Sequence, residues 1–85
     1  MKLVEFIIKL WNMSRKETNR AILLELYNLI EKYPDLRFGQ ILVDCDIIGY
    51  DITDNGVEVI DPFYEESELT LNRMMKSKII SKEYN

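Results

Sequence analysis

Nine carboxylates (Asp44, Asp46, Asp51, Asp54, Glu58, Asp61, Glu65, Glu66 and Glu68) fall within residues 44–68, a stretch that holds no Lys or Arg. Carboxylates at this density suit three kinds of chemistry: ligation of a hard cation, general acid–base catalysis, and attraction of a basic macromolecule. Spacing argues against the first. Asp44, Asp46 and Gly49 copy the first, third and sixth positions of a calcium loop, but Ile48 stands at the fifth and Asn55 at the twelfth, where a bidentate Glu is required. A carboxylate-only magnesium site, for instance Asp44 with Asp61, is compatible with the sequence but nothing in the spacing demands it. The expectation is no metal and no cofactor.

Catalysis meets a second obstacle. The chain has no His, so imidazole bases and Ser-His or Cys-His dyads are excluded by counting. The single Cys45 sits between Asp44 and Asp46, whose charges raise a thiol pKa, so a buried core cysteine is expected rather than a nucleophile. Paired carboxylates could do acid and base work, yet an 85-residue chain has little room for a substrate cleft. No catalytic residue is assigned and no enzyme is expected.

Attraction of a basic partner remains, and the distribution of charge supports it. Residues 1–43 carry seven basic and five acidic side chains, residues 44–68 carry −9, and residues 69–85 return to +3, for a total of −4. Two readings follow: the basic ends fold back on the acidic segment, or the acidic segment faces outward. Within it, Phe63 and Tyr64 stand between Asp61 and Glu65-Glu66, an aromatic anchor with a negative rim. The plainer alternative is that Phe63 caps the core beneath a hairpin. Trp11, Tyr50 and Tyr84 also fall at element ends, where a small core leaves large side chains uncovered. The candidate partner-binding set is therefore Asp44, Asp46, Asp51, Asp54, Asp61, Phe63, Tyr64, Glu65 and Glu66. A competing reading uses Arg15, Lys16 and Arg20 with Arg73, Lys76, Lys78 and Lys82 to track a phosphate backbone. The acidic segment would repel that ligand, so direct nucleic-acid binding is disfavoured.

These groups need a scaffold. Leu3, Phe6, Ile7 and Leu10 recur at helical spacing and Trp11 extends the stripe, so the N-terminus reads as an amphipathic helix. A hydrophilic linker continues it, and residues 1–17 form an extension whose need truncation can test. Lys2, Glu5 and Lys9 interrupt the apolar run, which is far short of the ~20 residues of a membrane span and lacks a small-residue cleavage site. Thr18 precedes a second helix over 19–32, with Ile22, Leu23, Leu26, Tyr27, Leu29 and Ile30 on a broad apolar face, ended by Pro34. Asp35 is placed to cap a third helix over about 36–47. Gly39 inside that helix suggests close approach of the preceding helix.

Beyond Gly49 the period changes. Residues 50–53 and 57–60 alternate apolar with polar around Asp54-Asn55-Gly56, the signature of a hairpin, which is expected to lean on the helices because two strands alone are marginal. A last helix over about 67–81 presents Leu71, Met74, Met75 and Ile79. The fold class is mainly α (α+β): one domain, residues 1–85, of about four helices with a short hairpin between helices 3 and 4. A chain this small without a disulfide packs tightly or shares its core with a second copy, so a homodimer is a further expectation.

The segments Pro34-Asp35-Leu36-Arg37-Phe38-Gly39-Gln40-Ile41-Leu42 and Asp61-Pro62-Phe63-Tyr64 together resemble the RFGQ-type and DPFY-type segments of a family of small uncharacterised phage and prophage proteins. The likeness spans roughly residues 20–72. It implies expression in the cytoplasm of a bacterial host and an accessory role. By analogy with small acidic phage proteins, that role is to bind and inhibit a host protein with a basic surface, defence nucleases among them.

Overall fold

Ser14 starts the first helix. Its hydroxyl accepts from the Glu17 N–H at 3.2 Å and donates to Glu17 Oε1 at 3.0 Å, a Ser-x-x-Glu helix start. In the computed structural model, which describes the backbone of residues 13–84 and the side chains of 13–81, helix α1 then spans Arg15–Lys32. The hydrophilic residues expected to form a linker before residue 18 are thus the cap and first turn of α1. The helix expected over residues 1–12, with Trp11, lies outside the described residues.

One side of α1, formed by Thr18, Ile22, Glu25 and Leu29 and flanked by Leu26, turns into the core. Leu23, Tyr27 and Ile30, expected on the same face, are exposed instead. At 100° per residue the strip centred on Tyr27 lies opposite the buried one, and a helix in so thin a domain packs on one side only. The Tyr33 N–H still bonds to Leu29 O, after which Pro34 ends the ladder.

Tyr33 to Leu36 form a turn closed by Leu36 N–H to Tyr33 O at 3.2 Å, so Asp35 is used in the turn and does not cap the next helix. Helix α2, Phe38–Asp44, starts later and ends earlier than expected. Its cap is Arg37, whose N–H bonds to Gln40 Oε1 at 2.8 Å. Its end is a Schellman arrangement: Ile47 N–H reaches Leu42 O, Asp46 N–H reaches Val43 O, and Asp46 takes a left-handed φ of 62°. Ile41 and Cys45 are buried from this helix, whereas Phe38 is exposed.

The expected close approach at Gly39 is absent, since a Cβ built there meets nothing within 4 Å. With helical φ and open space, Gly39→Ala removes backbone freedom from the unfolded chain at no steric cost, and the expected gain is about 0.5–1 kcal/mol. A rise in the urea midpoint at unchanged slope checks it.

Strands β1, Gly49–Thr53, and β2, Gly56–Ile60, form an antiparallel pair with Tyr50 opposite Val59, Asp51 opposite Glu58 and Ile52 opposite Val57. Gly56 adopts φ 117°, which lets the chain leave Asp54-Asn55 in the sense of the strand twist. A 3-10 turn, Pro62–Tyr64, leads into α3, Ser67–Lys76, and α4, Lys78–Tyr84. The single last helix expected is therefore two. Ser77, with ψ 151°, ends α3, and its own carbonyl receives the Ile80 and Ser81 N–H groups that begin α4. Buried Ser77 satisfies its hydroxyl on Met74 O at 2.6 Å. Leu26, Leu29, Ile41, Cys45, Ile47, Leu71, Met74, Met75 and Ile80 make one core cluster. The architecture is mainly α with one antiparallel hairpin, here between α2 and α3, in a single domain. No helix among the described residues is long and apolar enough to cross a membrane.

Candidate protein-interaction surface

The nine candidate residues divide by environment. Asp51 and Asp54 lie on the hairpin, where both are exposed. Register places Asp51 directly across from Glu58 on one face of the ribbon, a like-charge pair that weakens the ribbon by a fraction of a kcal/mol to about 1 kcal/mol. The other face carries Tyr50, Ile52, Val57 and Val59, between 64% and 85% exposed. The expected support of the hairpin by the helices is confined to its root, where Gly49 and Ile60 are half-buried. The ribbon therefore presents an uncovered apolar face and an acidic one.

Asp61, Phe63 and Tyr64 follow directly. The Asp61 carboxylate accepts from the Phe63 N–H at 3.0 Å and Pro62 fixes the first position, so the sequence Asp-Pro-Phe-Tyr folds into a capped turn of its own. That turn points both aromatics outward. Phe63 and Tyr64 are each 83% exposed, with ring centroids 4.9 Å apart and planes at 75°. Phe63 does not cap the core beneath the hairpin.

Glu65 and Glu66 face other duties. Arg73 binds Glu65 through both forks, Nη1 to Oε2 at 2.8 Å and Nη2 to Oε1 at 2.5 Å, and Thr70 Oγ1 donates to the same carboxylate at 2.7 Å. The Arg73 hydrogen bond, helped by Thr70 and by the charge of Arg73, lowers the Glu65 pKa below its ordinary value against the opposing effect of burial. Glu66 pairs with Arg15 at 2.9 Å at the surface, where both remain largely exposed. So the basic ends do fold back on the acidic segment, but at these two carboxylates only among the described side chains.

Asp44 and Asp46 line an open groove of about 600 Å³ with Tyr33, Val43 and Lys78. Between them Cys45 is fully buried. Burial pushes its thiol up to about 11, backbone hydrogen bonds pull it partly back, and the charges of Asp46 and Asp44 add to the rise. At pH 8 the native thiol is expected to react with iodoacetamide at least about a hundredfold more slowly than a free cysteine, and to become reactive on unfolding in urea. Mass spectrometry of the labelled chain checks this.

No group of three or more potential metal ligands gathers among the described residues. Comparison of the chain with protein-family models, with curated proteins and with solved structures finds no match. The site is thus read from its own geometry.

Sequence reasoning missed Ile52, Val57, Val59 and Glu58 as members of this surface. Their signal was present: alternation in both strands sets Tyr50, Ile52, Val57 and Val59 on one face, and no further strand among the described residues pairs with the ribbon.

Proposed function

We propose that this chain is a non-enzymatic interaction protein that binds a basic protein surface through its hairpin and the turn that follows. Asp51, Asp54 and Glu58 steer and hold the partner's cations, and Tyr50, Ile52, Phe63 and Tyr64 supply the apolar contact. The observation that carries this reading is the Asp51–Glu58 opposition on an exposed ribbon. Like charges set face to face destabilise the free protein and are relieved when a cation lies between them. The uncovered apolar face on the opposite side of the ribbon supports the same conclusion, because exposed patches of this kind mark association sites and a partner groove that encloses the ribbon meets both faces.

The resemblance of the RFGQ-type and DPFY-type segments to phage and prophage proteins supports a more specific form of the proposal. The partner is then a bacterial host protein, inhibited when the acidic ribbon occupies a groove that otherwise holds nucleic acid, as in a defence nuclease, and the chain acts in the host cytoplasm. Two basic residues that direct nucleic-acid binding would use, Arg15 and Arg73, are already engaged by Glu66 and Glu65, which weakens that competing reading.

The test is capture from bacterial lysate at low and high salt, beside a mobility-shift assay on DNA and RNA. A protein retained at low salt and released as screening increases, with no shift of nucleic acid, supports the proposal. A shift of nucleic acid with no salt-sensitive protein partner would falsify it.

A further inference from the structure

Helix α1 is apolar on two opposite sides, and the core uses only one of them. The outer side carries Leu23, Leu24, Tyr27 and Ile30, all exposed, the first three by more than half. A helix apolar all round is ordinarily buried all round. The charges bounding this strip are equally telling. Arg20 and Glu31 sit at its two ends, in the series Arg20, Leu24, Tyr27, Glu31, whose spacing of four, three and four residues is the heptad seam of a helix pair. Glu31, in the last turn, runs against the helix dipole, which favours bases there, and Arg20 lies in the second turn, where the dipole favours neither sign. Local helix physics therefore does not explain them, and no hydrogen bond or ion pair to Arg20 or Glu31 is present among the described residues.

We propose that this outer face binds a second copy of the chain, with the two α1 helices antiparallel about a two-fold axis. In that arrangement Leu24 of one copy meets Tyr27 of the other, and Arg20 meets Glu31 at both ends of the contact. The strip is self-complementary in this orientation alone: a parallel pair sets Arg20 beside Arg20 and Glu31 beside Glu31. A helix of 18 residues extends about 27 Å, so the contact is small and the dimer is expected to be weak, with a dissociation constant on the order of 10 µM. The proposal uses none of the hairpin residues and stands apart from the reading of that surface.

Sedimentation equilibrium on the full chain tests it. The expected result is a monomer–dimer equilibrium that Arg20→Glu alone and Glu31→Arg alone each weaken by roughly tenfold or more. The combined variant R20E/E31R, with charges exchanged but opposite again, returns to within about threefold of the parent. Both positions are at the surface, and circular dichroism checks that each of the three variants folds. A chain that stays monomeric at every concentration would overturn the proposal, as would a dimer indifferent to these exchanges but abolished by Ile52→Lys on the hairpin.

Discussion

Replacing Arg73 by Ala is expected to cost about 2–3 kcal/mol, the largest loss from any single side chain outside the apolar core. Arg73 ties three parts of the chain together. Its fork holds Glu65 at the entry to α3, its Nε donates to Asp46 O at 2.6 Å, and its Nη2 reaches Ile47 O at 3.3 Å. Those two carbonyls belong to the turn that closes α2. The pair is mostly buried, with side chains 26% and 19% exposed, so truncation leaves a half-buried carboxylate and two carbonyls short of donors. A midpoint fall of about 10–20 °C follows for a domain of this size, measured by thermal unfolding. Arg73→Lys keeps the charge and loses the fork, so it recovers only part of the loss.

The same pair sets an acid limb. Because the folded pKa of Glu65 lies below its ordinary 4.5, the unfolded chain binds more protons in the window between the two values, and stability rises with pH there. The contribution is complete above 4.5 and disappears as the pH falls through the folded value. In Arg73→Ala the burial of Glu65 acts without its counterweight, so acid unfolding starts at a higher pH.

Reversing the hairpin carboxylates is expected to have the largest effect on binding and the opposite effect on stability. Asp51→Lys places a cation across from Glu58, replacing a repulsive pair with an attractive one, and raises stability by about 0.5–1 kcal/mol. The same change turns a charge toward the partner's cations and weakens association by at least about thirtyfold. With Asp54 and Glu58 also changed to Lys, binding is lost. A residue kept for the fold shows the two effects moving together; opposite signs mark a residue kept for a partner. Glu65→Lys would be a poor probe, since it also destroys the Arg73 clamp, and Asp61→Lys removes the cap of the aromatic turn.

Much of the scaffold was legible because its signals are local. Pro34 stops α1, Gly56 permits the hairpin turn, and the alternation around it fixes the strands. The misplaced boundaries also had local signals that competing ones outweighed. Ser14-x-x-Glu17 begins α1 ahead of Thr18, and Ser77 divides the last helix within an unbroken apolar pattern. What was not legible depends on distance in the chain. Nothing near Glu65 announces Arg73, and nothing near Arg73 announces the carbonyls of Asp46 and Ile47, 27 and 26 residues away. The carboxylates of the candidate set were read from charge alone, which cannot separate one held within the fold, as at Glu65, from one left in solvent, as at Asp51. Exposure of the apolar ribbon face was likewise hidden, since alternation predicts a buried face without naming what buries it.

Quantitative capture from bacterial lysate, comparing the parent chain with the D51K/D54K/E58K variant at low and high salt, tests the role of the ribbon most directly. The expected result is a protein retained by the parent at low salt, lost at high salt, and absent from the variant, which folds about as stably as the parent because Lys opposite Lys replaces one like-charge pair with another. Equal retention by both chains would contradict it.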